Sequence, residues 1–374
     1  MIADLALQRN KYKHLSDDEW RWLLQQTEGR ERTADKLPTF AAIPDWWYPV
    51  RLSCEQCSSE LTARYKALLL STFNFQLSTL LDLTGGYGVD TYFLSQHFAN
   101  TDYVEQDAEL CRIAEHNFGL KNQESKIRIH NTTAEAFLKS AGLYDLIFVD
   151  PARRDSHGGK VFRLIDCTPN VVELLPTLLS HLTPEGRLML KLSPMLDLTQ
   201  ALKELSAVNW DIHVVAVKNE VKEVLLLSGG KGTITAIDLS EPQKAFVFTK
   251  EEEREVNFKI QISNFTFIYE PNTAILKAGA YKLVAQRFGL QKLDVNTHLY
   301  ASNTLIQNFP GRVWQIKEII HHKSSIINAN VICRNYPQTP EQLKKKLKLK
   351  DGGDVYVIGC RVNGKPTIFQ AARI

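Results

Sequence analysis

The sequence lacks any apolar run of about 18 residues, the length that a membrane-spanning helix requires. The N-terminal stretch MIADLALQRNKYKHLSDDEW has no apolar signal-peptide core and becomes charged early. These two absences predict a cytoplasmic location. Low-complexity stretches and internal repeats are also missing from the 374 residues, a length that suggests two or three domains.

The cysteines do not form the pattern that a zinc site needs. Six cysteines are spread along the chain, and only Cys54 and Cys57 form a CxxC pair. A structural zinc ion usually has four ligands, and neither a second pair nor a Cys/His set lies nearby. We therefore predict reduced thiols and no metal site.

Net charge is low but unevenly distributed. The whole chain carries +3, yet residues 298–374 hold 12 Lys or Arg and 4 Asp or Glu, a net of +8. The preceding 297 residues hold 33 Lys or Arg and 38 Asp or Glu, a net of −5. A basic C-terminal part on a mildly acidic body favours a polyanionic partner.

The N-terminal two thirds of the chain change from helical patterns to an alternation of strands and helices. Residues 1–75 contain LSDDEWRWLLQQ and SSELTARYKALLLSTF, each with a polar cap before an amphipathic run. From about residue 78 the predicted strands are TLLDL, TDYVEQ, KIRIHN, DLIFVD, GRLMLKL, WDIHVVAV and KEVLLLS. Helical patterns separate the first five strands, which predicts a parallel sheet with helices on both faces. The last two strands follow each other closely and predict a closing β-hairpin.

The C-terminal third predicts two small α+β domains, at 236–297 and 298–374, after an α/β domain at 76–235. In the first, FKIQISNFTFIYEP indicates strands and TAILKAGAYKLVAQRFGL indicates one helix. In the second, TPEQLKKKLKL predicts a basic helix with a threonine cap. The predicted strands of this last domain are TLIQNF, RVWQIKEII, SIINANVICR, VYVIGCRV and PTIFQAARI.

The turn in LLDLTGGYGVDT, residues 80–91, lacks the residues of two common phosphate-binding loops. No Lys-Ser or Lys-Thr pair follows the glycines, which excludes a Walker A loop. Threonine stands where a dinucleotide fingerprint has its third glycine. Two interpretations remain: a loop for S-adenosylmethionine and a purely structural connection. In the first, glycine backbone passes close to the ligand, and the carboxylates of Asp82 and Asp90 attract its cationic amino group.

Residues downstream of the turn favour the S-adenosylmethionine interpretation. Glu105 ends the second strand, 23 residues after Asp82, where a carboxylate can accept hydrogen bonds from two ribose hydroxyls. Small polar residues after the third strand could present backbone groups to adenine. Glu135 follows them in the first turn of the next predicted helix, where an acidic side chain can simply stabilise the helix. The predicted cofactor-binding residues are Asp82, Thr84, Gly85, Gly86, Gly88, Asp90, Glu105, Gln106, Thr133, Ala134 and Asp150.

The stretch DLIFVDPARRDS predicts the reacting centre. Amine methyltransferases carry [DN]-P-P-[YFW] at this place, and here Ala152 and Arg153 follow Asp150 and Pro151. We predict these four residues as catalytic, with base stacking unassigned because the aromatic residue is missing. Ser193 stands where C5-uridine enzymes have a nucleophilic cysteine, which disfavours covalent chemistry.

The residues that follow Ala152 are basic and could contact a substrate. Arg153 and Arg154 are predicted at the mouth of the site, where they could bind phosphate or form ordinary surface ion pairs. HGGK at 157–160 is predicted as a loop that could close over a substrate.

These motifs together resemble a family of class I RNA-type methyltransferases. The resemblance rests on EQCSSELTARYKA, DLTGGYGVD, DPARR, KNEVKEVLLL and KKLKLKDGGDVYVIG, and it covers most of the chain. It implies a Rossmann-like class I sheet with a closing hairpin, an N-terminal helical region, a ferredoxin-like domain and a THUMP-like domain. It also implies S-adenosylmethionine as cofactor. The resemblance also places the helix that carries Arg64 and Lys66 over the methionine end of the cofactor. Each of these two residues either contacts that end or is a solvated helix residue.

THUMP domains bind RNA, so the resemblance implies structured RNA, either tRNA or rRNA, as the partner. Lys344, Lys345, Lys346 and Lys348 are predicted to contact phosphates, although a solvated helix face would show the same pattern. We predict methylation of a base nitrogen without a metal ion. The alternatives are a protein or small-molecule methyltransferase, and a protein that binds S-adenosylmethionine and RNA without turnover.

Overall fold

The computed structural model describes residues 5, 8–73, 75–120, 126–153, 163–256, 264–320 and 326–374. Arg154 and the predicted loop at 157–160 lie outside these residues, as does part of FKIQISNFTF. The chain divides into two compact units, of which the first comprises 1–210 with 225–230 and the second 211–224 with 231–374. Within the described ranges, no helix is both long and apolar enough to cross a membrane.

The N-terminal region is helical, as predicted. Both predicted serine caps are confirmed. Ser16 and Glu19 form a reciprocal capping box, and the Ser59 hydroxyl accepts a hydrogen bond from the Thr62 N–H. The helices are α1 (Asp17–Thr33), α2 (Pro38–Ala41), α3 (Arg51–Gln56) and α4 (Glu60–Leu69).

A large sheet follows, and all seven strand patterns predicted for it correspond to strands. The strands are β1 (Thr79–Asp82), β2 (Asn100–Glu105), β3 (Ile127–Asn131), β4 (Tyr144–Val149), β5 (Ala152–Arg153), β6 (Cys167–Thr168), β7 (Leu182–Leu192), β8 (Trp210–Val217), β9 (Glu220–Ser228), β10 (Thr233–Asp238) and β11 (Phe246–Thr249). The order of the described strands in the sheet is β11-β10-β8-β9-β7-β4-β1-β2-β3, and β5 pairs separately with β6. The pairs β1–β2, β2–β3, β1–β4 and β4–β7 are parallel, as predicted.

Helices separate the parallel strands at the predicted places. The last helix of this part, between β7 and β8, has no counterpart in the sequence prediction. β4, which lies in the middle of the sheet, is buried along its whole length. The helices are α5 (Val89–Leu94), α6 (Ala108–Gly119), α7 (Ala134–Leu138), α8 (Val171–Ser180) and α9 (Leu198–Glu204).

The predicted closing hairpin is confirmed, because β8 and β9 are neighbours joined by two residues. Lys218 and Asn219 have φ of 51° and 61°, the left-handed conformation that a two-residue hairpin turn requires. The Asp238 carboxylate accepts hydrogen bonds from both of their N–H groups, at 3.1 and 2.6 Å. The side chain of one aspartate thereby holds a turn that contains no glycine.

The C-terminal part carries a second sheet, whose described strands are β12 (Phe267–Pro271), β13 (Gln291–Asp294), β14 (Thr297–Ser302), β15 (Gly311–Ile319), β16 (Asn330–Arg334), β17 (Val355–Val362) and β18 (Lys365–Arg373). These seven strands lie in the order β13-β14-β12-β15-β18-β17-β16. Trp314, Ile358 and Phe369 are buried in the core of this sheet. The helices are α10 (Lys250–Glu255), α11 (Thr273–Ala278), α12 (Lys282–Phe288) and α13 (Pro340–Leu347).

Two predicted elements of this part are wrong. TLIQNF is not a strand, because its backbone bonds to a side chain instead: the Tyr269 hydroxyl accepts from the Ile306 N–H and donates to the Thr304 carbonyl, both at 2.9 Å. The single helix predicted from TAILKAGAYKLVAQRFGL is two helices, α11 and α12. Gly279 ends the first of them in the left-handed conformation, with φ of 85°.

Candidate active site

A cavity of about 280 Å³ lies in the first unit, at the carboxyl ends of β1, β2 and β4. This is the edge at which open parallel sheets bind their ligands. Its volume is near the lower end of the roughly 300–1,000 Å³ that is usual for small-molecule sites. The predicted site residues that line it are Thr84, Gly86, Glu105, Gln106, Thr133, Ala134, Asp150 and Ala152.

Several predicted site residues that the structure describes in this unit are not among those that line the cavity. Arg153 is described for its backbone alone, in β5, so its predicted substrate contact remains a prediction. Arg64 lies away from the cavity wall, since its guanidinium pairs with Glu60 at 2.7 Å and lies 4.7 Å from the ring centre of Phe93. The predicted residues that do not line the cavity are Asp82, Gly85, Gly88, Asp90 and Pro151.

The three glycines of the turn have different environments. Gly86 lines the cavity with φ of +54°, and a Cβ there would meet only the Thr84 carbonyl oxygen, at 3.8 Å. A Cβ on Gly85 would lie 2.1 Å from the ring of Tyr103, and one on Gly88 would lie 2.8 Å from the ring of Phe118. Gly85 and Gly88 therefore allow close packing, whereas Gly86 keeps the cavity wall open.

Glu105 connects the glycine turn to the end of β2. One carboxylate oxygen accepts a hydrogen bond from the Gly86 N–H and the other from the Asp107 N–H, both at 2.9 Å. Each oxygen has a further lone pair, so the carboxylate can still accept hydrogen bonds from a ligand diol. Thr133 also lines the cavity and caps α7, since its hydroxyl accepts from the Ala136 N–H.

Asp82 is buried behind the turn, with 1% of its surface exposed. Its carboxylate accepts hydrogen bonds from the Thr84 N–H, at 3.0 Å, and from the Thr91 hydroxyl, at 2.6 Å. Burial, together with the charges of Asp90 and Asp150, raises the pKa of Asp82 to about 7, against the lowering effect of these two hydrogen bonds. Asp82 is thus a buried carboxyl that can gain or lose a proton near neutral pH.

Asp90 is the centre of a buried ion pair. Its carboxylate lies 3.1 Å from the Lys66 ammonium and accepts a hydrogen bond from the Ser58 hydroxyl at 2.7 Å. Burial opposes ionisation, but the Lys66 and Lys191 ammonium groups outweigh it and lower the pKa of Asp90. Lys66 itself is completely buried, so it is not the solvated residue that the sequence left open.

Asp150 is held at both its backbone and its side chain. Its N–H donates to the Thr84 hydroxyl oxygen at 2.7 Å, and its carboxylate forms an ion pair with Lys191 of β7. The parallel register of β4 and β7, in which Val149 pairs with Leu190, brings the two residues together. Sequence reasoning missed Lys191, although a lysine within the apolar run LMLKL was a signal.

An N-terminal helix contributes to the cavity, but it is α3 and not the helix with Arg64 and Lys66 that the resemblance implied. Ser53, Gln56 and Cys57, on α3 and at its end, line the wall together with Asp150. The Cys57 thiol donates to the Cys54 carbonyl at 3.2 Å. No group of three or more His, Cys, Asp or Glu side chains that could hold a metal ion occurs among the residues described.

The predicted phosphate-contacting lysines lie on α13 and at its end, in the second unit. Lys345, Lys346 and Lys348 are exposed, whereas Lys344 is partly buried and pairs with Asp351. On the opposite face of α13, Leu343 is completely buried in a small apolar core. The helix therefore presents three lysines to solvent.

Comparison with known proteins gives matches along most of the chain. Residues 267–310 match a family model described as a ferredoxin-like domain, and residues 311–373 match one described as THUMP domain-like. None of the curated proteins matches the chain. A solved structure from Porphyromonas gingivalis W83, provisionally assigned as a methyltransferase, is 34% identical with a TM-score of 0.83. The match covers 96% of this chain and 92% of that one.

Other solved structures are similar to a smaller share of the chain. A provisionally assigned rRNA methylase from Clostridium thermocellum is 13% identical with a TM-score of 0.35, covering 44% of this chain and 94% of its own. A provisionally assigned methyltransferase from Streptococcus mutans, solved with S-adenosylhomocysteine, is 12% identical with a TM-score of 0.34 and the same coverage. Similarity at this level carries no argument about the activity of this chain.

Proposed function

The chain belongs to the same protein family as the Porphyromonas gingivalis protein, and from that membership we propose that it transfers a methyl group from S-adenosylmethionine to a base nitrogen of tRNA or rRNA. The observation that carries the proposal is the cavity in which Gly86, Glu105 and Asp150 meet. The THUMP domain-like match and the net charge of +8 over 298–374 support an RNA substrate, which would place the protein in the cytoplasm.

The residues around the cavity fit S-adenosylmethionine. Gly86 leaves open the space that a Cβ would enter, and Glu105 offers carboxylate oxygens at the end of β2. Asp150 at the wall and Asp90 behind the turn supply negative charge that favours a cationic ligand, and Asp82 adds to it in its ionised form. Lys66 and Lys191 offset part of that charge.

Asp150 has the central role in the proposed reaction. When bound, S-adenosylmethionine supplies an electrophilic methyl group. The acceptor nitrogen uses its lone pair for the new N–C bond, the C–S electron pair stays on sulfur, and the nitrogen loses a proton to water. The Asp150 carboxylate accepts a hydrogen bond from the acceptor N–H, which turns the lone pair towards the methyl carbon. The chain thereby supplies orientation, the main requirement of a direct in-line transfer.

The proposal is tested by the transfer of tritiated methyl groups from S-adenosylmethionine. Full-length protein is incubated with total small RNA and ribosomal RNA from cells in which its gene is deleted, and with protein from the same cells. We expect label in RNA and a loss on the order of 100-fold in Asp150→Asn, because a misaligned acceptor reacts slowly. Lys222→Met, a change in a lysine paired with Glu220 on β9, is the control and should transfer normally.

The possible outcomes separate the alternatives. Label in protein alone would contradict the RNA substrate. Binding of S-adenosylmethionine by calorimetry, without label in any acceptor, would indicate the binding protein without turnover. Transfer to RNA that Asp150→Asn leaves unchanged would contradict the assignment of Asp150.

A further inference from the structure

Lys191 contacts the proposed reacting residue although it is not among the residues that line the cavity. Its side chain is 12% exposed, whereas the Asp150 side chain is 35% exposed. Lys191 binds the Oδ2 atom of Asp150. The pair therefore has one member that is mostly shielded from solvent and one that lines the cavity.

The surroundings fix Lys191 in this position. The β4–β7 register sets its backbone beside Asp150, and its ammonium also lies 3.9 Å from the Asp90 carboxylate. Asp90 is in turn paired with Lys66. Among the residues that the structure describes, the charged groups of this cluster include two ammonium groups and the carboxyls of Asp82, Asp90 and Asp150. Electrostatic attraction to the Asp90 and Asp150 carboxylates therefore holds the Lys191 ammonium in this position.

We propose that Lys191 is a positioning residue for the methyl acceptor: it holds Oδ2 of Asp150, so that Oδ1 is presented to the acceptor N–H in the cavity. This inference rests on the proposed function and adds a residue to it. The backbone of Asp150 is already fixed by the Thr84 hydroxyl, which leaves the rotation of the carboxylate as the remaining freedom. Lys191 removes that freedom.

A double-mutant cycle tests this role, because it asks whether Lys191 acts through Asp150. Single-turnover methyl transfer to RNA is measured for wild type, Lys191→Met, Asp150→Asn and the double variant. We expect Lys191→Met to lower the rate on the order of 100-fold in the wild-type background. In the Asp150→Asn background the same change should alter the rate by no more than about twofold, the error of additivity.

Two further measurements separate positioning from a structural role. Binding of S-adenosylhomocysteine, measured by calorimetry, should stay within about threefold of wild type in Lys191→Met, because the lysine does not line the cavity. Lys191→Arg should recover part of the rate, since a guanidinium can hold the same oxygen. Crystal structures of wild type and Lys191→Met should show the Asp150 carboxylate turned in the variant.

Each result decides a separate claim. Additive effects in the cycle, or an unchanged rate in Lys191→Met, would overturn the role of Lys191 while leaving the proposed function intact. If wild type labels no RNA, the proposed function fails first, and the Lys191 proposal with it. If Lys191→Met does not fold, as judged by circular dichroism, Lys191→Gln takes its place in the same cycle.

Discussion

At the residue scale, Gly85 and Gly86 are adjacent in sequence and should respond differently to the same substitution. Gly86→Ala should weaken S-adenosylhomocysteine binding about tenfold or more, because its Cβ would stand at the cavity wall, and its φ of +54° should cost about 1 kcal/mol of stability. Gly85→Ala should lower stability more, by a few kcal/mol, because its Cβ would overlap Tyr103. Calorimetry and urea unfolding of both variants check this. Weakened binding in Gly85→Ala at unchanged stability would contradict it.

Asp82 should make the stability of the protein depend on pH. Its pKa is raised from 3.8 to about 7 in the folded state, so ionisation favours the unfolded chain. The free energy of unfolding should therefore fall as pH rises from about 4 to about 7, and this contribution should then stay constant. Asp82→Asn keeps an acceptor for the Thr84 N–H and cannot ionise.

Urea unfolding of wild type and Asp82→Asn at pH 5, 6, 7 and 8 checks this prediction. The advantage of wild type over the variant should shrink between pH 5 and pH 7 and change little from pH 7 to pH 8. A difference that is constant across the series would show that Asp82 is already ionised at pH 5.

Residue patterns predicted the lining of the cavity better than the ion pairs around it. The glycine turn, Glu105 and Asp150 line the cavity and were named because each lies at the end of a strand that the apolar pattern reveals. Lys66 was named without its partner Asp90, and Lys191 was missed, because helix phase and strand alternation place a side chain on a face without identifying its partner. The partner depends on which strands become neighbours, as in the β4–β7 pair that joins Asp150 to Lys191.

At the scale of elements, Gly279 decides whether the segment 273–288 forms one helix or two. Nothing lies within 4 Å of a Cβ built on Gly279, so Gly279→Ala costs only the strain of φ at +85°. We expect a loss of about 1 kcal/mol for alanine and less for asparagine, which tolerates this conformation better. Urea unfolding of the full chain measures both. A gain in stability from alanine would mean that one continuous helix is accessible.

The alternation of strands and helices predicted the large sheet because each parallel strand must be followed by a crossover. The closing hairpin was equally readable, since the four residues between the two predicted strands leave no room for a crossover helix. The strand prediction for TLIQNF was wrong because its composition suits a strand, whereas the Tyr269 hydroxyl forms hydrogen bonds with the Thr304 carbonyl and the Ile306 N–H. Competition of that kind depends on a residue more than 30 positions away and leaves no local trace.

At the scale of the whole molecule, α13 should contribute to RNA affinity and not to cofactor binding. Replacing Lys345, Lys346 and Lys348 together by alanine should weaken RNA binding and reduce its salt dependence by up to about 3 in log–log slope. S-Adenosylhomocysteine binding should not change, because these lysines do not line the cavity.

A triple alanine variant of three exposed lysines elsewhere is the matched control: Lys203, Lys222 and Lys231. This control removes the same amount of positive charge. If RNA affinity depended only on the total charge of the protein, both triple variants would bind RNA equally weakly. Binding measured by filter retention at several salt concentrations distinguishes the two. Equal effects would contradict a role for α13 itself.

The domain boundaries predicted for the C-terminal part stay predictions. The ferredoxin-like and THUMP domain-like matches meet between residues 310 and 311, whereas the predicted boundary lies before residue 298. Charge counting could place the basic part of the chain, but both matches contribute strands to one sheet, so no linker marks the border.

The most direct test of the central claim is the nucleoside composition of RNA in cells. Purified tRNA and rRNA from wild-type cells, from cells lacking the gene, and from deletion cells carrying Asp150→Asn are digested and compared by mass spectrometry. We predict one base-methylated nucleoside that is present in wild-type cells and absent both from cells lacking the gene and from deletion cells carrying Asp150→Asn. Identical nucleoside profiles in all three strains would contradict RNA methylation by this protein.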